Sequence, residues 1–107
     1  MAVTVERGTK QFQGAFKELW VVTDTACNFG NAATGSGTFA SVDITVPGVA
    51  LGDMVMGIAV GVDTIDAVIG GAVTAANTVT LTLLNNTAGA VDLASTTCKF
   101  IVGRPAW

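Results

Sequence analysis

Apolar and polar residues alternate along most of the chain, with the side-chain period of two that strands impose. Residues 38–46 alternate from Ser41 onward, placing Val42, Ile44 and Val46 on one face, and Pro47-Gly48 closes the segment with a turn signature. Leu51-Gly52-Asp53 is a second turn, feeding the apolar strand at residues 54–60. Residues 64–69 are a weaker strand, closed by Gly70-Gly71. A short strand follows at 72–76, and Asn77 starts the next element. Residues 78–83 alternate cleanly, with Val79, Leu81 and Leu83 inward and Thr78, Thr80 and Thr82 outward. After a loop at 85–89, residues 96–102 put Cys98, Phe100 and Val102 on one side.

The N-terminal third is less regular. Residues 17–23 read as the first strand, and 28–37 as a long polar, glycine-rich loop. Residues 1–16 show little periodicity and are read as an extended arm with Phe12 and Phe16 as anchors, leaving 17–107 as the domain. Short strands at roughly 8–12 residue spacing predict an all-β fold, an antiparallel sandwich or barrel of jelly-roll-like type with an N-terminal arm. No helix of standard length and no repeat of fixed period is predicted.

Composition narrows the chemistry. The chain has 107 residues, enough for one compact domain, of which 50% are hydrophobic and 12% charged. Ala, Val, Thr and Gly make up more than half of it. High hydrophobic content with a net charge of −3 argues against disorder. There is no His. That removes the usual general base and the commonest metal ligand, so Ser–His–Asp and Cys–His mechanisms cannot be assembled within one chain. The acidic balance argues against a nucleic-acid surface, which needs clustered Lys and Arg. Composition thus points away from an enzyme. So few charges leave a monomer poorly solvated, and a chain that buries its surface against copies or partners escapes that problem. Both chain ends are basic relative to the acidic middle. This is read as scatter, or as ends and middles meeting across subunits.

The N-terminus lacks the apolar core of a secretory signal. The uncharged stretch 67–91 is too rich in Asn and Thr for a membrane helix. Cys27 and Cys98 follow no spacing motif; two reduced thiols are favoured, with a single bridge as the alternative. Asn85-Asn86-Thr87 matches a glycosylation sequon and is read as a chance match in a turn.

Other candidates have a plain structural reading beside the functional one. Asp63-Thr64-Ile65 invites comparison with the Asp-Thr-Gly loop of aspartic proteases, but Ile65 replaces the glycine that loop needs. Asp63 and Asp66, helped by Asp53 or Asp92, could ligate calcium; solvated turn carboxylates are the simpler reading. The Thr78, Thr80, Thr82 face could bind ice or sugar, or simply face solvent. Trp20, among Leu19, Val21 and Val22, reads as core. Trp107, the last residue, either docks on its own domain or plugs a neighbour.

The block Val46-Pro47-Gly48-Val49-Ala50-Leu51-Gly52-Asp53-Met54-Val55, then residues 73–87, then Ala90-Val91-Asp92-Leu93-Ala94-Ser95, resembles a β-rich module of tailed-bacteriophage virion proteins. The likeness spans about residues 38–102. It implies a structural role in a phage particle. A short chain with one such module looks most like a capsid decoration (cement) protein, made in the host cytoplasm and bound to the outer capsid of the virion. The partners expected are the major capsid protein and copies of this chain, a homotrimer being favoured, with no cofactor, no metal, no nucleic acid and no membrane. The candidate capsid or subunit contacts are Arg7, Lys10, Phe12, Phe16, Arg104 and Trp107. The alternative is a head-fibre or tail-associated virion protein that binds a receptor or carbohydrate.

Overall fold

The computed structural model describes residues 3–8, 14–32, 38–64, 67–87 and 89–107. Lys10 and Phe12 lie outside these residues, as do Ile65 and Asp66. The described chain forms β1 (Val3–Gly8), β2 (Phe16–Cys27), β3 (Asn31–Ala32), β4 (Thr38–Thr45), β5 (Met54–Val60), β6 (Val68–Ala75), β7 (Thr78–Asn85), β8 (Val91–Asp92) and β9 (Thr96–Pro105). A four-stranded sheet has the order β1-β2-β9-β5, and a three-stranded sheet the order β4-β7-β6. A two-stranded ribbon pairs β3 with β8. All pairings are antiparallel. The two larger sheets pack face to face as an all-β sandwich, the first of the two architectures predicted.

The period-two pattern decides what is inside. Val79, Leu81 and Leu83 of β7 are fully buried, opposite Cys98, Phe100 and Val102 of β9, which are equally shielded. Ile44 and Val46 join them from β4 and its exit. Trp20 is 0% exposed at the centre, and its indole N–H donates to the Pro47 carbonyl at 3.1 Å. That bond removes the polar penalty of burying an indole.

Two expectations change. Val3–Gly8, inside the stretch read as an arm, pairs residue for residue with β2 from Val3↔Asp24 to Gly8↔Leu19. Val3 and Val5 pack against the core from this edge position. Only two apolar residues mark the strand, too few for periodicity to reveal it; the open edge of β2 supplies the rest. The second change is at Gly70-Gly71, which lie within β6 instead of closing a strand. Neither has a positive φ. Gly71 faces inward, where a Cβ would stand 2.7 Å from Leu81 Cδ2, 3.1 Å from Val55 Cγ1 and 3.2 Å from Ile58 Cδ1. The glycine there permits close approach of the two sheets.

The turn itself comes later, at Ala76-Asn77. Asn77 has φ +63°, a left-handed conformation that Asn tolerates better than most residues. Its Oδ1 accepts the Gly48 N–H at 2.8 Å. Its backbone N–H donates to the Val49 carbonyl, and its carbonyl accepts the Val46 N–H, both at 2.9 Å. The β6–β7 hairpin is thereby tied to the turn that follows β4.

Candidate functional site

The C-terminal end of β9 gathers three of the predicted contact residues. Arg104 sits where β9 passes the turn at 51–53. Its Nε donates to Asp53 Oδ1 at 3.0 Å, and its Nη2 donates to Asp53 Oδ2 at 2.9 Å and to the Gly48 carbonyl at 3.0 Å. The guanidinium carbon lies 5.1 Å from the centroid of the Trp20 ring. Asp53 Oδ2 also accepts the Ala50 N–H at 2.9 Å. The Asp53 side chain is nearly buried and that of Arg104 about one-third exposed. Hydrogen bonding to Asp53 pushes the Arg104 pKa up against the opposing effect of burial. Such a fork-on-carboxylate pair holds geometry as well as charge. Arg104 therefore staples its own domain, pinning the 47–53 turns over Trp20.

Beside it, the Phe16 and Trp107 rings lie 5.9 Å apart, tilted by 54°. The Ala106 N–H bonds the Ala15 carbonyl at 2.9 Å and carries β2–β9 pairing past the end of the strands. Trp107 rests against its own domain yet remains 80% exposed. Phe16 and Met56 cover Gly103, where a Cβ would stand 2.7–2.8 Å from Phe16 ring atoms and the Met56 Cε. Arg7 lies on β1 opposite Trp20.

These residues border a larger feature that the sequence reading missed. On the outer face of the four-stranded sheet, register aligns Leu19, Gly103 and Met54 in one row across β2, β9 and β5. Val21, Ile101 and Met56 form the next. Val21 is 47% exposed and Met54 42%. The inner face of the same strands carries Trp20, Val22, Phe100 and Val102. An antiparallel sheet with one solvated face normally alternates apolar with polar. Here β2 and β9 are apolar on both sides at this end. The signal was present as the unbroken runs Leu19-Trp20-Val21-Val22 and Phe100-Ile101-Val102.

The outer face of the three-stranded sheet is different. Its rows are Ser41, Thr82 and Gly70, then Asp43, Thr80 and Ala72. Thr80 Oγ1 donates to Asp43 Oδ1 at 2.6 Å and shares a 2.8 Å hydrogen bond with Thr74 Oγ1. The threonines face outward as predicted, and the Thr80 hydroxyl links Asp43 of β4 to Thr74 of β6. One end carries Phe39, Leu84 and Val68 side by side, with Phe39 and Val68 well exposed.

Asp53 is committed to Arg104. Asp63 and Asp92 are exposed. Asn85 is fully buried, with Nδ2 donating to the Gly89 carbonyl at 2.9 Å and Oδ1 accepting from the Thr87 N–H and hydroxyl. This loop brace, and not an accessible sequon, is what its carboxamide serves. An open depression of about 440 Å³ is lined by Ala59, Val60, Gly61, Thr97 and Lys99. Lys99 is the one ionisable group among those lining residues. Cys27 and Cys98 are free, buried, and close to Asp24. Among the described residues, no helix is long and apolar enough to cross a membrane.

Comparison with protein-family models, with curated proteins and with solved structures finds no match.

Proposed function

We propose that the chain is a virion structural protein, a capsid decoration (cement) protein that binds the outer shell of a tailed-phage head. The observation that carries this reading is the doubly apolar end of the four-stranded sheet. Val21, Met54 and Trp107 stand exposed there beside Met56, Ile101 and Phe16. Apolar surface of this kind on a charge-poor domain is suited to a protein partner.

Magnitudes favour an oligomer. Fully burying one large aliphatic or aromatic side chain contributes about 1.5–3 kcal/mol. Three half-exposed or exposed side chains contribute less than three times that. Association itself costs about 4–15 kcal/mol in lost freedom. One copy therefore binds weakly, and a homotrimer, engaging the major capsid protein at several points, gains its hold by avidity. Spreading contact over several capsid subunits raises the force needed to separate them.

A second reading, a fibre or tail module that binds carbohydrate, draws on Phe39 beside the Ser41–Thr82 row. The two readings part in one experiment. Capsids lacking the protein are mixed with the wild-type chain, Val21→Glu, and Phe39→Ala. The decoration reading expects shell binding by wild type and Phe39→Ala, and loss with Val21→Glu. Shell binding untouched by Val21→Glu refutes the assigned face, and location on the tail refutes decoration altogether.

A further inference from the structure

We propose that Asp24, Cys27 and Cys98 form a binding site for one zinc-class divalent cation beneath the bulged end of β2. Residues three apart on a regular strand point to opposite faces. Pairing of β2 with β9 shifts register between Asp24, opposite Cys98, and Cys27, opposite Thr96. Three steps along β2 thus face two along β9. The extra residue brings Cys27 round to the face that Asp24 and Cys98 share. No spacing in the sequence announces this; the bulge makes it.

All three residues are 0% exposed. The two Sγ atoms and a carboxylate oxygen of Asp24 lie within 4.8 Å of one another. Tetrahedral zinc, with bonds of about 2.3 Å to sulfur and 2.0–2.2 Å to oxygen, sets its ligands roughly 3.6–3.8 Å apart. Closing that gap takes a contraction of no more than about 1.2 Å, within reach of side-chain torsions.

A second observation points the same way. Asp24 Oδ1 accepts the Ala26 N–H at 3.0 Å, whereas Oδ2 is buried without a hydrogen-bond partner. An orphaned buried carboxylate oxygen is costly, and native proteins rarely leave one. A cation bound by Oδ2 and the two sulfurs supplies the missing partner. On binding, the dication replaces the two thiol protons, which leave to solvent. The net charge of the buried site is unchanged, so the low-dielectric surroundings impose no added charge. Two thiolates select a zinc-class ion over magnesium or calcium. The three ligands tie the end of β2 to β9.

The test uses the full chain, reduced and free of air, titrated with Co²⁺ as a spectroscopic stand-in for zinc. The expected result is a thiolate-to-cobalt charge-transfer band that saturates at one equivalent and is bleached by Zn²⁺. Cys98→Ser should abolish the band, and Asp24→Asn should weaken apparent affinity by about 10-fold or more. Zinc should raise the thermal midpoint of the wild type and leave that of Cys98→Ser unchanged. Circular dichroism without metal checks the folding of each variant. If Cys98→Ser does not fold, the isosteric Asp24→Asn carries the test. Absence of the band at excess Co²⁺ overturns the proposal. So does unchanged affinity in Asp24→Asn, or a Cys27–Cys98 disulfide in the native chain.

Discussion

Gly70 and Gly71 are adjacent in sequence, and the structure assigns them opposite sensitivities. In β6, Gly70 faces outward with nothing within 4 Å of where a Cβ would stand. Gly71→Ala places a methyl 2.7 Å from Leu81 Cδ2, with Val55 and Ile58 closing the other sides at 3.1 and 3.2 Å. Leu81 is 0% exposed, so its methyl must shift within the core and cannot swing out to solvent. Overpacking of this kind costs about 1–3 kcal/mol. Reduced freedom of the unfolded chain offsets about 0.4–1 kcal/mol at either site where the backbone is compatible. Gly71→Ala should then lose about 1–2 kcal/mol, and Gly70→Ala should gain a few tenths or more. At about 4 °C per kcal/mol for a domain of this size, the two thermal midpoints should differ by roughly 8 °C. Circular dichroism melts and urea titrations of both variants measure this. Equal losses of several degrees in both, as two positive-φ turn glycines would give, refute the placement of β6.

Three further outcomes are expected. A double-mutant cycle on Arg104 and Asp53 should return a coupling of about 1 kcal/mol by urea unfolding, discounted for the partly exposed guanidinium; coupling near zero would contradict the staple. Asn77→Gly keeps the left-handed turn and loses only the bond to Gly48, whereas Asn77→Ala adds backbone strain, so the alanine variant should be less stable by about 1 kcal/mol; the reverse order would count against the turn. A thiol reagent should reach neither Cys27 nor Cys98 in the native protein without metal and both after unfolding, and prompt labelling in native buffer would contradict their burial.

The Thr78-to-Leu83 strand was legible because alternation records which side of a strand meets the core, whatever it pairs with. Trp20 and the Cys98, Phe100, Val102 stripe were legible for the same reason. β1 was not, since a lone edge strand needs the β2 backbone to define it. Gly70-Gly71 misled because a glycine pair signals a turn locally, while the need for Gly71 arises from Leu81, Val55 and Ile58 on other strands. Arg104 was read from the sequence as a capsid or subunit contact, and no local pattern announced its pairing with Asp53, a residue distant in sequence.

Local pattern by itself therefore determined the all-β class, most strand positions and the inward residues, because side-chain period is a property of the chain. Tertiary structure alone decided the strand order and set the apolar runs of β2 and β9 side by side with β5. It also decided the meeting of Asp24, Cys27 and Cys98. Each of these depends on register between segments distant in sequence, and a single bulge changes which face a side chain occupies.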